Sequence, residues 1–385
     1  MAHEEIPSVQ PIQPADDFPV ARRMRSANGP SGFQAVVGWM LRVVLVLSLL
    51  ANAYFIFKYM PASTASSGKL TERFHSGNAN AASKIAIVRI EGTIVEGLIS
   101  FASQQIKDAA RDDDVKAVVV VVNSPGGTVT ASDQLWKQIK DLRDGKSERQ
   151  SFKKPVVVSM ESVAASGGYY IAAPAERIFA QPTTVTGSIG VYASFLDLHE
   201  FAQKYGVTMN TIKKGELKGG SMFHAMKPEE RREWEDLLEH TYQRFMAIVK
   251  EGRDGQKGGP RLKYGLRDEI QLKSREGETF VRRLADGGVF NADQARDLGL
   301  VDQIGYLEDA IQESKKLAGL TEARVVSYDR PFTLLGALIG IRHREADGAL
   351  HLNDIPGVTR RLWLLTPGYE LSGIKVPQQF MDRQP

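Results

Sequence analysis

A chain of 385 residues, 42% hydrophobic and 25% charged, is long enough for one large folded domain or two ordinary ones with appendages, and too apolar to be disordered. Its formal net charge of +3 is too small to argue for a nucleic-acid partner, and no aromatic–basic run of the kind that grips single strands occurs. The absence of cysteine excludes a thiol nucleophile, a disulfide framework and cysteine-held zinc, and it suits an oxidising compartment.

Residues 1–33 are polar, carry Pro7, Pro11, Pro14, Pro19 and Pro30, and show no apolar periodicity, so a flexible tail is expected. Next comes AVVGWMLRVVLVLSLLANAYFIFKYM. Ala35 to Phe57 is 23 residues, interrupted by Arg42, Ser48 and Asn52. A spanning helix needs roughly 20 residues, so the length fits an anchor. Arg42 is tolerable near one end, where it snorkels to the headgroups; that shifts the span to about 39–60. A cleaved signal peptide competes, because ANA at 51–53 resembles a processing site, and so does a buried core helix. The long proline-rich lead and the apolar run continuing through Phe57 favour the anchor. Arg22, Arg23, Arg25 and Arg42 precede or open the span and only Lys58 and Lys69 follow, which places the N-terminus in the cytoplasm and the rest outside it. PASTASSGK reads as a spacer.

From Lys84 the pattern changes. KIAIVRIEGTI, VKAVVVVVNS and KPVVVSMESV are β-branched runs of strand length, the second apolar enough to be buried on both faces. Between them lie SFASQQIKDAARDD and ASDQLWKQIKDLRD, the latter with Leu135, Ile139 and Leu142 at helical spacing. Strand–helix alternation predicts an α/β fold with a mainly parallel sheet. A long helix is expected from Lys227 to about Glu251, with Pro228 near its first position. The organisation expected is a tail at 1–33, a transmembrane anchor at 34–60, a linker at 61–83, a catalytic domain at 84–328 and a C-terminal extension at 329–385.

Two consecutive strands end in glycine-rich turns that open helices: SPGG, Ser124 to Gly127, and VAASGGYY around Ser166. Small neighbours leave the Ser166 hydroxyl unshielded, and glycines allow close backbone approach. Such a turn suits a nucleophile with an oxyanion hole, and equally an ordinary tight turn. A serine nucleophile needs a proton acceptor. His199 and His224 lie in no recognisable catalytic context, and HEFAQ lacks the second histidine of a zinc motif. A lysine serves only if burial or nearby donors keep it neutral; TIKKGELKGGSMF offers Lys213, Lys214 and Lys218. The spacing S-x-x-K also occurs at 66–69 and 151–154, both in polar linkers.

VVVNSPGG, ESVAASGGYYIA, TGSIGV and IKKGELK, followed by GGVFNADQARDLGLVDQIGYLEDAI, occur in the order and context of signal peptide peptidase A. From about Lys84 to Gly319 the chain resembles this SppA family, of the Clp-protease/crotonase-like fold group. The resemblance implies a repeated ββα spiral behind an N-terminal transmembrane helix. It implies Ser166 as nucleophile, Lys218 as general base, and Ser188 holding the lysine. Gly126 first, then Gly127, and less directly Gly167, would supply oxyanion N–H groups. No metal or organic cofactor is implied.

One copy of the catalytic domain resembles the family's short members, which form membrane-bound rings with serine and lysine meeting across a subunit boundary. The implied role is a membrane-anchored serine endopeptidase in the bacterial inner membrane. Its catalytic domain would be extracytoplasmic, and it would degrade cleaved signal peptides and other unfolded chains. The alternatives are a non-catalytic scaffold of the same fold that binds extended peptides, and a crotonase-like acyl-CoA enzyme. In the C-terminal extension, TLLGALIGI is too short to read as a span. RRLWLLTPGYEL reads as a strand, an intersubunit strap or a tail folded over the active sites.

Overall fold

The computed structural model describes residues 32–59, 70–147, 152–219, 221–253, 255, 262–273, 277–329 and 363–365. The expected tail up to residue 31, the spacer at 61–69 and most of the C-terminal extension lie outside the described residues. The chain divides into two units, residues 1–67 and 68–385.

In the first unit the apolar segment is helical, α1 Gly32–Tyr59. Its described side chains run from Val36 to Asn52, and Trp39, Leu41, Val44, Leu47 and Leu50 are exposed. Among the described residues no helix is long and apolar enough to cross a membrane.

The second unit opens with β1 Thr71–Gly77, inside the segment expected as linker. Alternate contacts with the sheet's last strand convert that polar stretch into an edge strand. There follow β2 Lys84–Glu91, α2 Ser100–Arg111, β3 Val115–Ser124, β4 Gly126–Thr128, α3 Val129–Asp144, β5 Val156–Ala165 and α4 Gly167–Ala172. Then come β6 Arg177–Ala180, β7 Val185–Gly187, α5 His199–Lys204 and α6 Pro228–Gly252. The remainder is β8 Glu269–Lys273, β9 Thr279–Arg283, β10 Val289–Asn291, α7 Ala292–Leu298, β11 Gln303–Ile304, α8 Leu307–Leu317, β12 Arg324–Asp329 and β13 Trp363–Leu365.

The main sheet runs β1-β12-β2-β3-β5-β6-β11, with β7 pairing β5 and carrying β10. The pairs from β12 through β11 are parallel; β1 and β10 join antiparallel. The apolar run in β3 is buried on both faces, as its composition predicts. The two-residue period sorts the strands. Ala86, Val88, Val118 and Val120 pack with residues of α2, α3 and α4, while Ile85, Ile87, Val119, Val121 and Val157 pack with Ala310 and Ile311 of α8. β8 and β9 form a separate hairpin.

A register shift in the β3–β5 ladder between Val122 and Ser124 lets the end of β5 change partner. Val157–Met160 pair β6, whereas Val163–Ala165 pair β7. β5 therefore ends between β3 and β7, and Ser166 follows directly on that end. The expected long helix is α6, with Pro228 in its first turn, where its missing N–H costs nothing. Thr128 caps α3 by accepting from the Ala131 N–H, and Gly145 ends that helix in the left-handed conformation.

Glu176 anchors the start of β5 by accepting the Val156 N–H at 2.7 Å. Burial pushes its carboxyl up to about 7 from the usual value of 4.5. A raised folded-state value means the protonated carboxyl's stabilising contribution is complete below about 4.5 and is lost as pH rises through about 7. Relative to Glu176→Gln, the native chain should therefore lose on the order of 2–3 kcal/mol between those limits. Urea midpoints across the same pH range test this; two parallel profiles would refute it.

Candidate active site

Ser166 caps the N-terminus of α4 with φ 52° and ψ −115°. Ser188, just beyond β7, has φ 50°, and among the described residues these are the only non-glycine positions at positive φ. Side chains rarely hold this conformation, which costs on the order of 1–3 kcal/mol and clusters at functional sites. The two serines are neighbours by construction: Ala165 stands opposite Gly187, and the Ser166 N–H donates to the Gly187 carbonyl at 2.8 Å. Ser188 is fixed in turn by donating its N–H to Gly288 O at 2.9 Å. Both are buried, and the Ser166 Oγ has no hydrogen-bond partner among the described residues.

β4 lies beside this turn. A Cβ placed on Gly167 would come within 3.1 Å of the Gly127 nitrogen, so the start of α4 and β4 pack backbone to backbone. Along β4 the polar groups alternate. Gly126 O accepts from the Ile94 N–H at 2.9 Å, and the Thr128 N–H donates to Ile94 O at 2.8 Å. The Gly126 N–H donates to Ser124 Oγ at 3.1 Å. Gly127 therefore turns its N–H and C=O to the opposite edge. Gly126 is engaged with Ser124 and Ile94, whereas the N–H and C=O of Gly127 face the edge on which β13 pairs. Glycine is required there because a Cβ would fall 1.8 Å from Ile94 O.

Lys218 is exposed and lies on the long segment between β7 and α6. The single chain brings Ser166, Ser188, Gly126, Gly127 and Gly167 together, and Lys218 makes no hydrogen bond to the Ser166 Oγ. The Lys218 segment also exposes Leu196, Phe201, Tyr205, Ile212 and Leu217. Lys213 donates to Glu216 O within the same turn. His199 packs its ring against Phe223 O, and His224 is exposed, so neither reaches the serine. Among the described residues no group of three or more His, Asp or Glu side chains is placed to hold a metal ion.

Two further groups were not legible beforehand, one beside α4 and one at the opposite end of β5. The Tyr170 hydroxyl donates to Asp133 at 2.6 Å, and Arg244 of α6 donates to the same carboxylate oxygen at 2.6 Å while covering the Trp136 ring. This ties α4 to α3 and α6. Lys154, in the S-x-x-K spacing assigned to a linker, is fully buried and donates to the carbonyls of Ala109, Ala110 and Asp112. It closes the C-terminal end of α2, and burial pushes its ammonium down to about 8.

A family model described as peptidase family S49 matches residues 148–257 and 273–321. A Synechocystis protein described as a protease is 32% identical over 63% of this chain and 77% of its own length. The chain belongs to peptidase family S49. Within this family it is also 35% identical to a signal peptide peptidase SppA of Enterococcus faecium, over 60% of this chain and 59% of that protein. It is 34% identical to protease 4 of Haemophilus influenzae, over 62% of this chain and 35% of that protein. The chain thus spans about three fifths of the Enterococcus relative and about a third of the Haemophilus one. Among solved structures, ClpP1 of Listeria monocytogenes is similar at TM-score 0.33 and 17% identity, covering 58% of this chain and 94% of that one. S49 membership agrees with the resemblance read from SPGG, AASGGYY and TGSIG.

Proposed function

We propose that this S49 protein is a serine endopeptidase that cleaves unfolded peptides, signal peptides among them, by a Ser166–Lys218 dyad on a Clp-protease/crotonase-like spiral. The observation that carries the reading is Ser166 itself: strained, buried, its hydroxyl without a partner among the described residues, and followed by Gly167, which packs on the backbone of Gly126 and Gly127. Ser166 Oγ attacks the peptide carbonyl and gives its proton to Lys218, which returns one to the leaving amine. Water then hydrolyses the acyl-enzyme. The Gly127 and Gly167 N–H groups would hold the oxyanion, each worth about 2.7–4 kcal/mol in the transition state. Ser188, next to Ser166, would orient the lysine and favour its neutral form.

Lys218 would be supplied by a second copy of the chain. Its exposure on an apolar segment, and a Ser166 hydroxyl with no hydrogen-bond partner among the described residues, support that arrangement. We further propose that α1 anchors the protein in the inner membrane with its N-terminus in the cytoplasm. At 28 residues the helix would be about 42 Å long. The apolar run continues in sequence to Phe57, past the last described side chain, Asn52.

A fluorophosphonate probe on the detergent-solubilised full chain tests the nucleophile. Displacement of fluoride by the Ser166 oxygen should leave one phosphonyl group on the peptide containing Ser166. An unlabelled Ser166 in the assembled protein would move the weight to a peptide-binding scaffold.

A further inference from the structure

α4 is six residues long, too short for its internal hydrogen bonds to hold it in place unaided. Yet its N-cap is a serine in a strained conformation, and such strain persists only where the surroundings over-determine it. Two adjacent tyrosines supply that control. Consecutive helical residues project about 100° apart around the axis, so Tyr169 and Tyr170 leave α4 in two directions. Both are buried, and both end in a hydrogen bond. The Tyr169 hydroxyl donates to Leu300 O at 2.9 Å, and the Tyr170 hydroxyl to Asp133 Oδ1 of α3 at 2.6 Å. Two anchors set at an angle fix the rotation of a short helix as well as its place.

The Tyr170 ring meets Trp136 edge-on, with centroids 6.3 Å apart, and lies tilted against Phe245 of α6 at 4.9 Å. Burial, and then the bond to Asp133, push its hydroxyl well above its ordinary value, so it remains a donor. Asp133 is itself held. Arg244 of α6 donates to the same Oδ1 through Nε at 2.9 Å and Nη2 at 2.6 Å. The link to the serine is direct, because the Tyr170 N–H donates to Ser166 O at 2.8 Å and closes the first turn of α4. A rotation of α4 would swing the Ser166 side chain and the Gly167 N–H together. We infer that Asp133 is a positioning residue for Ser166: through Tyr170, and braced by Arg244, it sets the rotation of α4 and so aims the serine hydroxyl. What is aimed rests on the peptidase reading; the clamp on α4 does not. The Asp133 and Arg244 side chains are 33% and 46% exposed, so their ion pair adds little to stability, and its loss should be felt in rate more than in folding.

The test uses the full chain in detergent, with reactive serines counted by the fluorophosphonate probe and a dye-quenched unfolded protein as substrate. Tyr170→Phe keeps the ring and removes the hydroxyl, while Asp133→Ala removes its acceptor. Each should lower kcat per titrated serine at least about tenfold and leave KM within about twofold, and the double variant should be no slower than either, because both break one bond. Val325→Ala, at a buried position in β12 separated from β5 by β2 and β3, controls for stability. It should lower the urea midpoint and keep kcat per titrated serine. Unchanged kcat in both single variants, a double variant slowed by the product of the two losses, or an equal loss in Val325→Ala would overturn the positioning role. Hydrogen exchange in residues 166–172 reads the clamp without any activity. It should quicken at least about tenfold in Tyr170→Phe and Asp133→Ala, with exchange in β3 unchanged. If the native chain neither takes the probe nor turns over substrate, the peptidase reading fails. Quickened exchange then upholds the clamp on the serine turn, and unchanged exchange removes it.

Discussion

Ser166→Ala and Lys218→Ala chains, each assembled alone, are expected to lose at least about 10⁴-fold in turnover, and mixing them before assembly is expected to restore part of it. The first half follows from the division of labour in a dyad: without the hydroxyl there is no acyl-enzyme, and without the base the hydroxyl is a poor nucleophile. The second half follows from the geometry of one chain. Ser166 has its strain, its burial and its glycine neighbours, but no acceptor among the described residues, while Lys218 is exposed among apolar side chains. A head-to-tail contact repeated around a ring pairs each serine with a neighbour's lysine. Random mixing of the two variants leaves roughly a quarter of such junctions with both groups intact. Turnover of an unfolded protein by the mixture, set against each variant and the native assembly, reads this directly. Recovery near a quarter supports a shared site. No recovery in an assembly of normal size would place the base within the same chain or remove it from the mechanism.

Asp302→Ala is expected to be among the most destabilising single changes in the second unit, by about 3–5 kcal/mol. Arg253, fully buried at the end of α6, donates to Asp302 at 2.8 Å, and that carboxylate also accepts the Ile178 N–H at 2.8 Å. The Arg253 Nη1 has no partner among the described residues, so the guanidinium already depends on Asp302. Alanine would leave a buried cation uncompensated and unpair the edge of β6. The same short loop holds Leu300 O, which accepts from the Tyr169 hydroxyl behind Ser166, so the damage would reach α4. The paired change Arg253→Met with Asp302→Leu removes both charges and should cost far less than Asp302→Ala alone. Urea midpoints of the three chains decide it. A loss under 1 kcal/mol for Asp302→Ala would show that water reaches the arginine.

The parallel sheet was legible because its strands are unbroken β-branched runs, and α3 and α6 because their apolar spacing, Thr128 and Pro228 announce them. The turn around Ser166 was legible because small residues flank the serine and glycines follow it. The polarity of β4 was not. Which edge of β4 the polar groups of Gly126 and Gly127 face depends on the hydrogen bonds of Ile94, more than thirty positions earlier, and on Ser124. β1 and Lys154 were read as linker for the same reason. TERFHSG and FKKP are polar strings, and only long-range partners, β12 for one and the carbonyls of α2 for the other, give them a place in the fold. Lys218 belongs to a third kind. Its motif was readable, and within one chain it stands exposed and makes no hydrogen bond to Ser166.

The β1–β12 ribbon has a mechanical consequence. Thr71 opposes Asp329 and Gly77 opposes Arg324, so the chain enters and leaves this ribbon at the same end. Tension applied between the segments on either side would open the ladder one rung at a time, beginning at Thr71–Asp329, rather than shear all its bonds at once. The parallel strands from β12 inward resist by shear. A tug on the leading segment would therefore strip β1 from the edge at low force and spend itself there, leaving β5, β7 and the turn that holds Ser166 undisturbed.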